Sequence, residues 1–234
     1  MITLISCIGL DYDSQLLPHF IRHYSKLDID HFHFILHSKN EFDTATYEDM
    51  LPNLTLGKWV GDFDGVTKTV KLNKIIESLN TEYVMMADVD EFQIWETSIK
   101  EYLKGNNFRW GLLRDRESVD KKLVKVTNED LHTQFPLITN RTTWSNLYKP
   151  CVFPSTDRLI SPHHVMFAKN DFRDIIAIDH YRWIDGRMKK TKERKEHYTK
   201  LNQSGYSLES SPWENIPNWE SEYILRMYKT GSLI

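Results

Sequence analysis

Cysteine is almost missing from this sequence: Cys7 and Cys151 are the only two in 234 residues. So few exclude a disulfide-stapled scaffold and fit a chain that folds with free thiols in a reducing compartment. Glycine and proline are scarce as well, at nine and eight residues, which excludes collagen-like and low-complexity chains. No apolar run approaches the ~18 residues that a membrane-spanning helix needs. The apolar start, Met1 to Gly9, has no basic residue ahead of it, so no signal peptide is predicted. A large charge excess is also missing. Thirty Lys and Arg face 33 Asp and Glu, for a formal net charge of −3, which argues against a nucleic-acid partner. These absences predict a soluble, cytoplasmic protein with no transmembrane segment, leaving peripheral membrane contact and oligomeric state open.

What is present is a globular composition, 40% hydrophobic and 12% aromatic. A chain of this length can bury about 70% of its unfolded surface. The first hundred residues alternate between strand and helix patterns. Ile2–Ile8 is a short, β-branched apolar run and reads as a buried strand. Leu16, Leu17, Phe20, Ile21 and Tyr24 recur at helical spacing after a cap at Ser14, with Pro18 in the first turn. His31–His37 and Leu54–Val60 read as strands, the second closed by Gly61 and Asp62. Val66–Leu79 reads as a helix burying Val70, Leu72, Ile75, Ile76 and Leu79. Tyr83–Ala87 is a fourth strand, running straight into Asp88-Val-Asp-Glu-Phe92. This alternation predicts an α/β fold with a mainly parallel central sheet covered by helices. Ligands of such sheets sit beyond the carboxyl ends of the strands.

The second half is punctuated by Pro136, Pro150, Pro154 and Pro162. Residues 41–99 carry twelve acids and four bases, whereas 182–200 carry eight bases and three acids. The latter stretch reads as a solvated amphipathic helix or as a contact for an anionic ligand. With no repeat and no linker, one domain spanning 1–234 is the simplest division.

Asp88 and Asp90 carry the clearest chemistry. Two apart on an extended segment, they share a face, with Cα atoms about 6.6 Å apart. Carboxylates so placed can hold one hard divalent cation together with phosphate oxygens. Three acids in four residues also repel one another unless something compensates, and a cation would do so. Glu91 is expected to alternate away.

The stretch Val84-Met-Met-Ala-Asp-Val-Asp-Glu-Phe92 resembles the Asp-x-Asp strand end of GT-A-type glycosyltransferases, in the family-2-like and family-92-like branches. Gly111-Leu-Leu-Arg-Asp-Arg116 resembles the Asp-Arg block of the same branch. Leu131-His-Thr-Gln-Phe-Pro136 with Lys149 resembles a Gln-Phe-Pro block and its following lysine. His163-His164 and Asp179-His-Tyr-Arg-Trp183 resemble two histidine blocks. The sequence departs from the pattern at Leu10-Asp-Tyr-Asp13 and at Ser161-Pro162. The resemblance implies a single GT-A-type, Rossmann-like domain, with a nucleotide-sugar-binding half at 1–100 and an acceptor-side half at 101–234. It implies metal-dependent transfer of a sugar from a UDP-linked donor to a glycan or other hydroxyl, with inversion. By the same analogy Asp88, Asp90, His180 and His164 are the metal residues. A histidine beside carboxylates favours Mn²⁺ over Mg²⁺.

Gly9, Asp62, Lys71, Asn73, Asp88 and Lys149 are the expected donor contacts. An inverting base is sought among Asp115, Asp120, Asp171 and Asp179, with Asp115 first and Asp179 beside His180. Trp183 and Trp213 suit the apolar faces of sugars. Two other readings stay open: a metal-dependent phosphohydrolase, and a non-catalytic nucleotide-sugar or glycan binder.

Overall fold

The computed structural model describes residues 1–120, 122–140, 148–161, 163–166 and 174–200. Its strands are β1 (Ile2–Gly9), β2 (His31–Ser38), β3 (Leu54–Val60), β4 (Tyr83–Met86), β5 (Glu91–Ile94), β6 (Arg109–Glu117), β7 (Leu137–Asn140), β8 (Tyr148–Pro154), β9 (Leu159–Ser161), β10 (His164–Val165) and β11 (Ile175–His180). Its α-helices are α1 (Leu10–Asp13), α2 (Leu17–Tyr24), α3 (Ala45–Glu48), α4 (Gly65–Ser78), α5 (Ile99–Leu103), α6 (Leu131–Gln134) and α7 (Arg187–Lys200). The chain divides into two compact units, 1–113 with 144–180, and 114–143 with 181–234.

The α/β class expected from the sequence is what forms. In the first unit β1 pairs in parallel with β2 on one side and β4 on the other, and β3 extends the parallel set beyond β2. The resulting order, β3-β2-β1-β4, is the Rossmann-like arrangement. From β4 outward the sheet continues through β8, β6, β11 and β5. The β4–β8, β8–β6 and β11–β5 pairs are antiparallel. β9 and β10 form a separate antiparallel ribbon.

The strand β1 is buried from Ile2 to Ile8, Thr3 and Ser6 included, because both its faces are covered. Ile5, Cys7 and Ile35 join Leu72, Ile75 and Ile76 of α4 in one core cluster. On the other face Phe20 of α2 meets Phe34 and Phe92, with ring centroids 5.8 and 6.3 Å apart. Helix α2 carries Pro18 in its first turn, as expected. The helical run begins sooner than the Ser14 cap predicted. The chain turns helical directly after Gly9 and passes Ser14 in a 3₁₀ turn, with no side-chain cap at either start.

Helix α4 is capped by Asp64, whose carboxylate accepts from the amides of Val66 and Thr67, a strong N-terminal stop. Its rotation differs from the expected one. Val70 lies 48% exposed, and the inward positions are Gly65, Lys68, Thr69, Leu72, Ile75 and Ile76. Lys68 is thus buried one turn before Leu72. The side chain of Asn73 joins α4 to β9: its amide donates to the Leu159 carbonyl and accepts from the Leu159 N–H, both at 2.9 Å. Asn73→Ala would leave both groups of the buried Leu159 without this partner, so a loss of about 1–3 kcal/mol is expected in urea unfolding.

In the second unit, Arg114–Glu117 of β6 pair antiparallel with β7. Tyr181 packs against Phe135, with centroids 5.6 Å apart, and Val124 bridges Ile184. The basic stretch forms α7, as its pattern predicts. Cys7 and Cys151 are both free and buried, and burial pushes the Cys151 thiol well above its ordinary range. Among the described residues no helix is long and apolar enough to cross a membrane.

Candidate functional site

In an open sheet of order β3-β2-β1-β4, the connections leave β1 and β4 in opposite directions. The crevice between the carboxyl ends of these two strands is where ligands bind. The chain has Gly9 at the end of β1 and Ala87-Asp88 just beyond β4, so the acidic cluster lies at the switch point of the sheet.

The cluster is a turn rather than the extended segment expected. Glu91 N–H donates to the Asp88 carbonyl at 2.9 Å, and the Asp88 N–H donates to Glu91 Oε2 at 3.0 Å. Glu91 therefore folds back over the turn instead of alternating away. The buried Tyr24 hydroxyl anchors the exit of the turn: it donates to the Glu91 carbonyl at 2.8 Å and accepts from Gln93 N–H at 3.2 Å. The Gln93 side chain reaches back to the Met86 carbonyl at 2.7 Å. The short excursion between β4 and β5 is thereby pinned at both ends.

Two lysines face this turn. Asp88 Oδ1 accepts from Lys68 Nζ at 2.5 Å and Oδ2 from Lys149 Nζ at 2.8 Å. Lys149, on β8, also donates to Glu91 Oε1 at 2.5 Å. Its side chain is only 2% exposed. Burial opposes the charge of Asp88, yet Lys149 and Lys68 hold its carboxyl far below the usual carboxylate range. Burial likewise opposes the charge of Lys149, and Asp88 and Glu91 outweigh it, raising the ammonium above its ordinary value. Burial pushes Glu91 upward against the pull of Lys149. Both Glu91 oxygens nevertheless accept from groups that only donate, the pattern of the ionised form. The compensation inferred from the repelling acids is thus supplied within the chain, by two ammonium groups.

Asp90 turns elsewhere. Its Oδ2 lies 3.3 Å from His180 Nε2, and the β5–β11 register sets His180 directly opposite Glu91. One ligand atom each from Asp90, Glu91 and His180 lies within 4.8 Å of the others. Two carboxylates and an imidazole are a donor set that suits a borderline divalent cation such as Mn²⁺. These three are the one such group among the described residues. Asp88, whose two oxygens are on lysines, is not in it, and neither is His164. His164 sits on the β9–β10 ribbon with its Nδ1 2.9 Å from Ser161 Oγ.

The remaining expected contacts are dispersed. Gly9 has Asp13 Oδ2 3.2 Å from where a Cβ would stand, so its bareness makes room for that carboxylate. Asp62, after β3, pairs with Lys39 at 3.6 Å, both exposed. Lys71 lies over the Trp59 ring, 5.6 Å from its centroid, and Asn73 is committed to Leu159. Asp179 neighbours His180 on β11 and is buried; successive strand residues face opposite sides, which turns it away from Glu91 and His180. Asp115, in the second unit, is fully buried with Oδ2 accepting from Trp183 Nε1 at 3.1 Å. The Trp183 ring is itself buried, with the Arg182 guanidinium 5.0 Å from its centroid, so it presents no open face to a sugar. Asp120 is exposed; Asp171 and Trp213 lie outside the described residues.

Lys68 is absent from the residues that the sequence singled out. Its signal was its place four residues before Leu72 and seven before Ile75, on the buried stripe of α4.

No family model matches the chain, and no curated protein matches it. Among solved structures it is similar to HddC from Yersinia pseudotuberculosis, at 10% identity over 81% of this chain and 97% of that one, with a TM-score of 0.42. It is also similar to residues 1–349 of S. aureus TarS, crystallised with UDP-GlcNAc, at 11% identity over 96% and 70% of the two chains and a TM-score of 0.41. A 4-diphosphocytidyl-2C-methyl-D-erythritol synthase is similar at 16% identity, over 66% and 74%, with a TM-score of 0.38.

Proposed function

We propose that this protein is a metal-dependent glycosyltransferase that moves a sugar from a UDP-linked nucleotide-sugar to a glycan or other hydroxyl acceptor. The observation that carries the reading is the convergence of Asp90, Glu91 and His180 just past the switch point of a β3-β2-β1-β4 sheet. Asp90, Glu91 and His180 would hold Mn²⁺ or Mg²⁺, which when bound supplies Lewis-acid stabilisation of a departing diphosphate. Lys68 and Lys149 keep Asp88 ionised and fixed, so the turn keeps its shape as charge develops nearby. Gly9, Asp62 and Lys71, at or near the ends of β1 and β3, are proposed donor-side contacts. Inversion needs a base open to the acceptor. Of the described candidates Asp115 and Asp179 are enclosed and Asp120 is exposed.

The test is a panel of nucleotide-sugars with Mn²⁺, Mg²⁺ or EDTA, read by thermal shift and by release of nucleoside diphosphate. A ligand at about a hundred times its dissociation constant adds about 2.7 kcal/mol to stability. Metal-dependent release from one donor is the expected result. Stabilisation without release in any acceptor mixture would favour a binding protein. Release of inorganic phosphate from phosphate esters would favour a phosphohydrolase.

A further inference from the structure

The two lysines carry a consequence beyond catalysis, and it rests on the metal reading above. Asp88 and Glu91 face Lys68 and Lys149, with Asp90 beside them on His180, in a space where every carboxylate oxygen of Asp88 and Glu91 already accepts a hydrogen bond. Three carboxylates against two ammonium groups leave one negative charge. A dication joining Asp90, Glu91 and His180 reverses that to one positive charge, within a few ångströms of a lysine with a 2% exposed side chain. Glu91 would then be shared between the dication and Lys149, its partner at 2.5 Å. Such an excess is tolerated at low dielectric only if an anion enters too.

We infer that Lys68 and Lys149, held on Asp88 and Glu91, are tethered counter-cations that oppose a divalent metal at Asp90, Glu91 and His180, so that metal and an anionic ligand of the diphosphate class load this site together. Coupling of this kind is reciprocal: each ligand strengthens the other by the same factor. A purely structural lysine behaves differently, because its loss loosens the site and weakens metal and anion alike. Loss of a counter-cation instead tightens the metal and weakens the anion.

The experiment titrates Mn²⁺ alone into the wild-type chain, Lys68→Met, Lys68→Arg and Lys149→Met, following free Mn²⁺ by electron paramagnetic resonance. Equilibrium dialysis then measures retained pyrophosphate at saturating Mn²⁺. Lys68→Met is expected to bind Mn²⁺ alone about tenfold more tightly than wild type, inside the roughly 5–150-fold range of site–site couplings, and to retain pyrophosphate about tenfold less well. Lys68→Arg, keeping the charge, should return the wild-type Mn²⁺ affinity. Lys68→Met carries the test if Lys149→Met does not fold, since Asp88 then still has Lys149. Wild type binding Mn²⁺ alone as tightly as Lys68→Met would overturn the inference and leave the metal reading standing. No Mn²⁺ on any of the chains, with or without pyrophosphate, would overturn both.

Discussion

Lys149→Met should lower the free energy of unfolding by about 3–5 kcal/mol, the usual loss when one partner of a buried ion pair is removed. The size comes from the charges left behind. Lys149 is the ammonium on Glu91 Oε1 and one of two on Asp88. Methionine fills most of the volume but donates nothing, so Glu91 keeps only the Asp88 N–H. Burial then acts on Glu91 without its main opposition. For a chain of this size the melting temperature should fall by roughly 10 °C, at about 2–4 °C per kcal/mol. Urea unfolding monitored by fluorescence gives the direct measure, with a lower midpoint and an unchanged slope. Adding Glu91→Gln to Lys149→Met should recover part of the loss, because the stranded charge is then gone. A single mutant as stable as wild type would show that these groups are hydrated rather than enclosed.

Asp90→Ala is the counterpart: small in stability, large in activity. Asp90 sits in the turn and faces His180 at 3.3 Å, while the turn itself is pinned by Tyr24, Gln93 and Glu91. Removing its carboxylate should leave the melting temperature within a few degrees. It takes away one of three donors, so metal-induced stabilisation should disappear. Metal stabilisation of a leaving group is worth several kcal/mol, and about 1.36 kcal/mol is tenfold in rate. Turnover should accordingly fall by about a thousandfold or more, read as nucleoside diphosphate release at saturating Mn²⁺. Wild-type rates in Asp90→Ala would rule out the metal assignment.

How far the sequence could be read depends on where the determining contacts lie. The strands β1 to β4 were legible because each is a short β-branched or apolar run between polar punctuation, and burial on both faces leaves little room for other residues. Their parallel pairing came from the helical segments between them. Helix α4 was legible in extent, but its rotation was not. Val70 looked like a core residue, and only the demand of Asp88 for a counter-charge, set 20 residues away, turns Lys68 inward in its place. The turn at 88–91 was hidden for a similar reason. Alternation along a strand is a local rule, whereas this turn is held by Tyr24, 67 residues from Glu91. His180 was reachable only through resemblance, because nothing local marks a residue whose partner sits across an antiparallel ladder. Asp115 and Asp179 show the converse: a carboxylate in a suggestive block is still enclosed when its strand faces inward.

The two enclosed thiols have a practical consequence. Cys7 and Cys151 lie on β1 and β8, strands that flank β4 on its two sides. Alkylation requires the thiolate, and burial holds Cys151 in its protonated form, so neither sulfur is presented to reagent while the sheet is intact. Each becomes labelled when the sheet beside the acidic turn opens. The chain thus carries its own clock for sheet opening: pulsed alkylation and intact mass report, without an added probe, how often the strands bordering the site come apart and whether a bound ligand slows them.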